Sequence, residues 1–271
     1  KGMEVYGNEY AMHFPYHEWP AGRGKKISSI HSKLLELGGV MGAYNGWERV
    51  NWFATSEDDI SLESTHTWNR KGPWERRIKE ECEAVRDSCG VLNLPGFARF
   101  ILKGMGASEF LRGFCTGGLP KIGRMNLIYV SDKRGRILTE MSCIRLEEES
   151  FILITAATAQ WHDKELIQSL IPNGIYFEDI TITQDTLIVT GPQSRSILSK
   201  ISNADFSLGW LTHQAADVAG KSAYLLRVSF AGELGWEIHA SNEDMPCIYQ
   251  SVLDNGAVPF GMYALNSLRL E

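Results

Sequence analysis

Long apolar runs are missing from this sequence: none approaches the ~20 residues that a membrane-crossing helix needs. The opening stretch, KGMEVYGNEY, lacks the apolar core of a secretory leader. A basic excess is missing too. The formal net charge is −6, with both signs interspersed, so the electrostatic footprint of a nucleic-acid binder is absent. Neither a membrane nor a nucleic acid is an expected partner. Cysteine is scarce: there are 5, an odd number, with no C-x-x-C pair. Cys82 and Cys89 fall on one expected helix, sharing a face but too far apart for a disulfide. Buried free thiols in a reducing compartment, cytoplasm or mitochondrial matrix, are therefore expected.

The common catalytic signatures are lacking as well. There is no G-x-S-x-G, no H-E-x-x-H and no Walker loop, which removes the usual hydrolase, zincin and kinase patterns. The nearest approach to a dinucleotide loop is KGMGASEF, where Gly104 and Gly106 are followed by Glu109 at the third glycine position. A carboxylate there opposes a pyrophosphate, so a plain strand-to-helix turn is expected. His13 and His17 have the spacing of helical zinc ligands, but Pro15 lies between them and no cysteine is near. No metal site is expected.

What is present suits a folded core. Of 271 residues, 44% are hydrophobic and 22% charged, enough for one large or two ordinary domains. Both ends look cut. The chain opens on Lys1 and stops inside the helical pattern MYALNSLRLE, which suggests a piece of a longer protein. Residues 1–67 read as irregular, with one short helix around SIHSKLLELGG stopped by Gly38 and Gly39, and are expected to pack on a neighbour. From Gly72 helices and strands alternate irregularly, with hairpins among them. GPWERRIKEECEAVRDSCG reads as a helix, RMNLIYV and RILTEMSCIRL as a hairpin, and WEIHA as a strand followed by a helix capped by Asn242. That pattern is α+β rather than a doubly wound parallel sheet.

Two acids stand in strands. Glu237, in FAGELGWEIH, alternates with Trp236 and Ile238, which belong on the opposite face. Glu233 belongs to the turn framed by Gly232 and Gly235. Glu140 lies in RILTEMSCIR. His162 and Asp163 open a helix and fit an acid–base pair or a cap equally. Strand glutamates are most often solvated, and physical reasoning alone leaves the role of these two open.

Four ordered stretches carry a resemblance. FAGELGWE resembles the Y-T-G-E-x-G-x-E motif of the folate-binding aminomethyltransferase family, typified by the glycine-cleavage T-protein. SDKRGRILTEMSCIRL is similar to its N-E-x-G-G-I-L-D-D hairpin, TLIVTGPQS to its A-L-x-G-P-x-S/A turn, and ALNSLRLE to its R-D-S-L-R-L-E helix. They cover Trp68 to Glu271. The preceding HFPYHEWPAGRGKK and GWERVNWF resemble the segment joining the flavin and folate halves of dimethylglycine and sarcosine dehydrogenases. LPKIGRMNLI, GELGWE and YALNSLRLE look most like the dimethylglycine dehydrogenase branch.

The resemblance implies a partial aminomethyltransferase-like α+β fold over 68–271, incomplete at its C-terminus. Residues 1–67 would be the tail of a flavin-oxidoreductase central domain. Tetrahydrofolate would bind here. FAD and an N-methyl amine would bind in a part preceding Lys1, and the one-carbon unit would be captured as 5,10-methylenetetrahydrofolate. Residue by residue, Glu237 matches the pterin-binding glutamate. Phe230, Leu127, Ile144 and Arg227 fall in the folate pocket, and Glu140 matches the catalytic acid. The sequence departs from the family at Phe230 and Leu127, where tyrosines are usual. It departs also at Arg136 for a glycine, Glu140 for an aspartate and Leu265 for an arginine. Two other readings are a non-catalytic relative like the pyruvate dehydrogenase phosphatase regulatory subunit, and a flavin-independent methyltransferase. Retention of GELGWE with Glu140 favours the enzyme over the first. GWERVNWF argues against the second.

Overall fold

A computed structural model describes residues 2–14, 17–65, 67–68 and 71–271. Pro15, the expected helix breaker between His13 and His17, lies outside the described residues. The strands are β1 Gly39–Tyr44, β2 Trp47–Phe53, β3 Gly90–Asn93, β4 Ala98–Lys103, β5 Met125–Ser131, β6 Ile137–Glu147, β7 Ser150–Thr155, β8 Tyr176–Asp179, β9 Gln184–Thr190, β10 His213–Val218, β11 Lys221–Leu226, β12 Gly235–Ser241 and β13 Val258–Pro259. The helices are α1 Gly2–Gly7, α2 His31–Glu36, α3 Leu62–Thr65, α4 Trp74–Asp87, α5 Ala107–Phe114, α6 Gln160–Leu170, α7 Ser194–Ile201, α8 Met245–Asp254 and α9 Met262–Leu270.

Two sheets dominate. One has the order β10-β11-β12-β9-β3-β13, the other β5-β6-β7-β4-β8, and β1-β2 forms a separate hairpin. Pairing between these strands is antiparallel except for β13 on β3. Strand alternation gives each sheet two unlike faces. On β12 and β9, Trp236, Ile238, Leu187 and Val189 share a core with Leu198 of α7 and Met245, Ile248 and Val252 of α8. On β4, β6 and β7, Phe100, Leu102, Met141, Cys143, Phe151 and Leu153 share another with Leu111 of α5 and Ile167 of α6. The remaining faces look inward at each other. There Met125, Ile144, Ile154, Leu226 and Val228 form a smaller apolar cluster that bridges the sheets. The layering is helix, sheet, sheet, helix, so the α+β expectation holds.

The first segment is irregular only in part. Its GVMGAYNGWERVNWF folds as the β1–β2 hairpin, turning at Asn45 (φ 52°) and Gly46 (φ 82°). Positive φ at both turn positions is the geometry that an Asn-Gly pair favours in tight hairpins. The dipeptide was the readable signal, masked by the surrounding aromatics. The hairpin packs on the body of the chain: Ile30, Leu34 and Val50 join the core that holds Val91 and Leu187. Glu81 of α4 ties it down, accepting the N–H of Phe53 and of Gly261, each at 2.8 Å. Gly261 is required by close approach, since a Cβ there would lie 2.3 Å from the Asn51 carbonyl oxygen.

Three smaller expectations also change. Cys89 lies beyond the end of α4 and does not share its face with Cys82. Asn242 does not cap α8. That position is Asp244, while the Asn242 amide donates to the Ile182 carbonyl at 2.8 Å. All five cysteines are free, but Cys247 is exposed and Cys115 half-buried. No helix among the described residues is long and apolar enough to cross a membrane.

Candidate functional site

The inward faces of the sheets do not close completely. Two cavities of about 150 and 90 Å3 lie between them, and a third of about 370 Å3 opens beside these against the β1–β2 hairpin and α9. The 370 and 150 Å3 cavities share Phe97 and Phe230. The 150 and 90 Å3 cavities share Arg99, Ile154, Leu226 and His239. The result is one channel, wide at its mouth and narrowing inward.

Its polar floor comes from alternation. On β12 the side opposite Trp236 and Ile238 carries Glu237 and His239. Beside them on β9, Thr186 pairs with His239. Across the gap, Arg99 of β4 reaches from the other sheet. His239 Nε2 lies 2.9 Å from Glu237 Oε2, and its Nδ1 lies 3.2 Å from Thr186 Oγ1. Arg99 donates from Nη2 to Thr186 Oγ1 and from Nη1 to the carbonyls of Phe97 and Gln184, at 3.2 and 3.3 Å. Glu237 keeps 13% side-chain exposure. Burial pushes the His239 imidazole below its ordinary range and weakens the proton affinity of the Arg99 guanidinium. Asp185 lies behind, accepting from Ser29, from the Asn93 amide and from its neighbour's N–H. One buried cation against two carboxylates leaves this floor with excess negative charge when His239 is neutral. Met125, Ile154, Leu226, Val228 and Phe230 supply apolar walls. Ser229 Oγ, on the same wall, is buried without a partner.

The other expected residues fall at different depths. Phe230 divides mouth from middle, 44% exposed, its ring 6.3 Å from that of Phe97. Ile144 is buried on the wall of the innermost cavity. Leu127 is 47% exposed and pairs with Ser142, a channel-lining residue of β6. Glu140 is exposed, opposite Tyr129, and shares the inward face with Ser142 and Ile144. Arg227 does not join them. Its guanidinium lies 4.8 Å from the Trp236 ring, on the helix side of the sheet, and donates to the Gly235 carbonyl at 3.0 Å.

The remaining motifs sit elsewhere. Asp163 is wholly buried and accepts from Thr139, Thr155 and His162, at 3.0, 2.6 and 2.8 Å. It fastens α6 to β6 and β7 on the face away from the channel. At KGMGASEF, the first turn of α5 is occupied by the Glu149 carboxylate, which accepts the Ser108 N–H at 2.8 Å. An intrinsic anion thus fills the place a phosphate would take. His13 and His17 face each other through Nδ1 at 3.3 Å. Among the described residues no group of three potential ligands is assembled for a metal. Sequence reasoning missed Arg99, Thr186 and His239. Arg99 had left a trace as a charge inside the apolar run FARFILK. His239 had left one by lying two residues beyond Glu237, hence on its face.

Residues 30–271 match the family described as the GCVT N-terminal domain. The chain belongs to the GCVT aminomethyltransferase family. Mitochondrial dimethylglycine dehydrogenase of Rattus norvegicus is 30% identical over 100% of this chain and 32% of its own length. The aminomethyltransferase of Thermus thermophilus is 30% identical over 72% of this chain and 57% of its own. The crystal structure of glycine cleavage system aminomethyltransferase T from Bartonella henselae superposes with a TM-score of 0.73. At 20% identity it covers 90% of this chain and 62% of that one. The fold is therefore that of the family. The chain spans about a third of the length of the dehydrogenases it matches.

Proposed function

We propose that this chain is the tetrahydrofolate-binding portion of an N-demethylating dehydrogenase related to dimethylglycine and sarcosine dehydrogenases. The observation that carries the reading is Glu237, held by His239 on the floor of an apolar-walled channel between the sheets. A pterin edge offers a ring N–H and an amino group side by side. A fixed carboxylate accepts such a pair bidentately, and a dry site strengthens it. The unpartnered Ser229 hydroxyl and the flat apolar walls fit the rest of a ring of that kind. The excess negative charge of the floor favours a ligand edge made of donors.

Bound tetrahydrofolate would supply the nitrogens that take up the one-carbon unit, giving 5,10-methylenetetrahydrofolate. The residues of the chain would do the rest. Glu237 orients the ring, Phe230 and Leu127 wall the approach, and Ile144 closes the inner end. Glu140, exposed on the inward face, would accept or return a proton as the one-carbon unit arrives. FAD and the N-methyl amine would belong to a part outside this chain. A dehydrogenase-type parent is favoured because the dehydrogenase aligns along the whole chain, whereas the aminomethyltransferase aligns over 72%. The test is calorimetric titration of the chain with 5-formyltetrahydrofolate, a stable reduced folate. Saturable one-to-one binding is expected, and its absence would overturn the reading.

A further inference from the structure

We propose that Arg99, Thr186 and His239 form a one-way chain of donors that fixes Glu237 as an ionised acceptor, with Thr186 setting the direction. The purpose assigned to the chain rests on the pterin reading of Glu237. Its direction rests on hydrogen-bond chemistry alone.

A guanidinium has donors only, so Thr186 Oγ1 accepts from Arg99 Nη2. The single hydroxyl proton then points to His239 Nδ1, 3.2 Å away. At the other end an ionised carboxylate has acceptors only. The ring proton therefore sits on His239 Nε2 and is donated to Glu237 Oε2 at 2.9 Å. The carboxylate end fixes the neutral Nε2–H tautomer, and the Thr186 hydroxyl, for which the ring is the one acceptor found among the described residues, completes it by donating to Nδ1. An imidazolium donating from both nitrogens would strip the Thr186 hydroxyl proton of its acceptor. It would also set a second buried cation beside Arg99, which is 2% exposed.

The other groups facing the ring do not reverse this. Asp185 of β9 is already engaged by Ser29, Asn93 and the Thr186 N–H. Tyr224 pairs with His239 from β11, and His213, which lines the innermost cavity, bonds through Nε2 to the Arg145 carbonyl at 2.7 Å. Burial acts in the same sense, pushing His239 down.

The consequence is selectivity. Glu237 cannot take the imidazole proton without disturbing every bond behind it, so it presents lone pairs only. A ligand edge of two adjacent donors is matched, whereas an edge offering an acceptor leaves a buried group unpaired. Thr186, His239 and Arg99 are positioning residues in this scheme, acting through Glu237.

The test is imidazole 15N NMR of the chain, with His239 identified by the signal lost in His239→Gln, alongside 5-formyltetrahydrofolate titration. Wild type should keep the neutral Nε2–H tautomer between about pH 6 and 8, where an ordinary imidazole titrates. Thr186→Val should lose that single tautomer and bind about tenfold more weakly, the effect of roughly one hydrogen bond to a charged network. Thr186→Ser should restore both. A wild-type Nδ1–H tautomer overturns the proposal, as does a ring that gains a proton in this window or a Thr186→Val protein unchanged in spectrum and affinity. Should Thr186→Val not fold, the wild-type tautomer and Thr186→Ser still decide. Folate that fails to bind a wild type with the expected tautomer removes the pterin reading and leaves the donor chain standing.

Discussion

Glu237 and Glu140 stand on facing inner surfaces of two sheets, yet their surroundings are opposite. Glu237 is nearly enclosed, one oxygen fixed by an imidazole that is itself fixed by Thr186 and Arg99. Glu140 is exposed, paired through its strand with Tyr129, and its carboxylate takes part in no hydrogen bond or ion pair found among the described residues. The same side chain is thus suited to two kinds of chemistry. A carboxylate locked by a dry network holds a ligand edge in one geometry. A carboxylate open to water can exchange protons during turnover.

The comparison breaks most sharply at Glu237. Replacing it with Gln puts an amide donor where a ligand donor must fit, and removes the acceptor of His239. Folate affinity should fall by about 2–4 kcal/mol, while the fold, held by the helix-covered faces, persists. Calorimetry with 5-formyltetrahydrofolate and a thermal melt measure both. Wild-type affinity in Glu237→Gln would reduce this residue to a strand filler.

Glu81 provides a buried carboxylate outside the channel. It is 6% exposed, and burial pushes its carboxyl up to about 7 despite the two N–H groups it accepts. A raised carboxylate pKa means the folded chain binds the proton more tightly than the unfolded one. Its stabilising contribution is whole below the ordinary carboxylate range and is lost as pH rises towards about 7. The stability difference between wild type and Glu81→Gln should therefore shift against wild type across that window. The shift could reach roughly 3 kcal/mol. Urea titrations at intervals of pH read it, and a pH-independent difference would show that the Phe53 and Gly261 bonds outweigh burial.

How much of this was legible follows the same division. The outward faces were readable because apolar residues alternate cleanly there: Trp236 and Ile238 declared the far side of β12, and Met141 and Cys143 that of β6. The α+β class followed. The hairpin was missed although Asn45-Gly46 announces it, because its strands mix glycine, aromatics and charge. The channel was half legible. Glu237 stood out by motif and Phe230 by its place before it. Arg99 and Thr186 come from strands distant in sequence, and only the stacking of one sheet on the other brings them to His239. Arg227 shows the converse: the family resemblance assigned it to the pocket, but its side chain turns to the Trp236 face.

Glu140→Gln sharpens the contrast from the open end. It keeps size and loses the ability to take a proton. Folate affinity should stay within about tenfold, since nothing in the channel floor depends on it. Formation of methylenetetrahydrofolate from formaldehyde equivalents should slow by about 100-fold, the lower end for a positioned acid–base group. Single-turnover rates at saturating folate separate the two effects. A normal rate would make Glu140 a solvated strand residue.

The smallest expected effect lies at the mouth of the channel, where Arg49 of β2 and Arg269 of α9 line its outer cavity. Neither is in an ion pair among the described residues. Arg49 stacks on Tyr44, with its guanidinium 4.2 Å from the ring centroid. Two cations at the entrance of a channel that carries the Glu237 carboxylate part-way in set a polarity along it. A ligand with donors at one end and carboxylates at the other is drawn in one orientation. Arg49→Met keeps the packing of the stem and removes the charge. It should cost folate triglutamate about 1 kcal/mol at low ionic strength and less at high salt, as partly exposed pairs are screened. A ligand with the pterin but no glutamate should bind unchanged. Equal losses for both ligands would mean that Arg49 shapes the hairpin rather than meeting a charge, and the polarity of the channel would then rest on its floor alone.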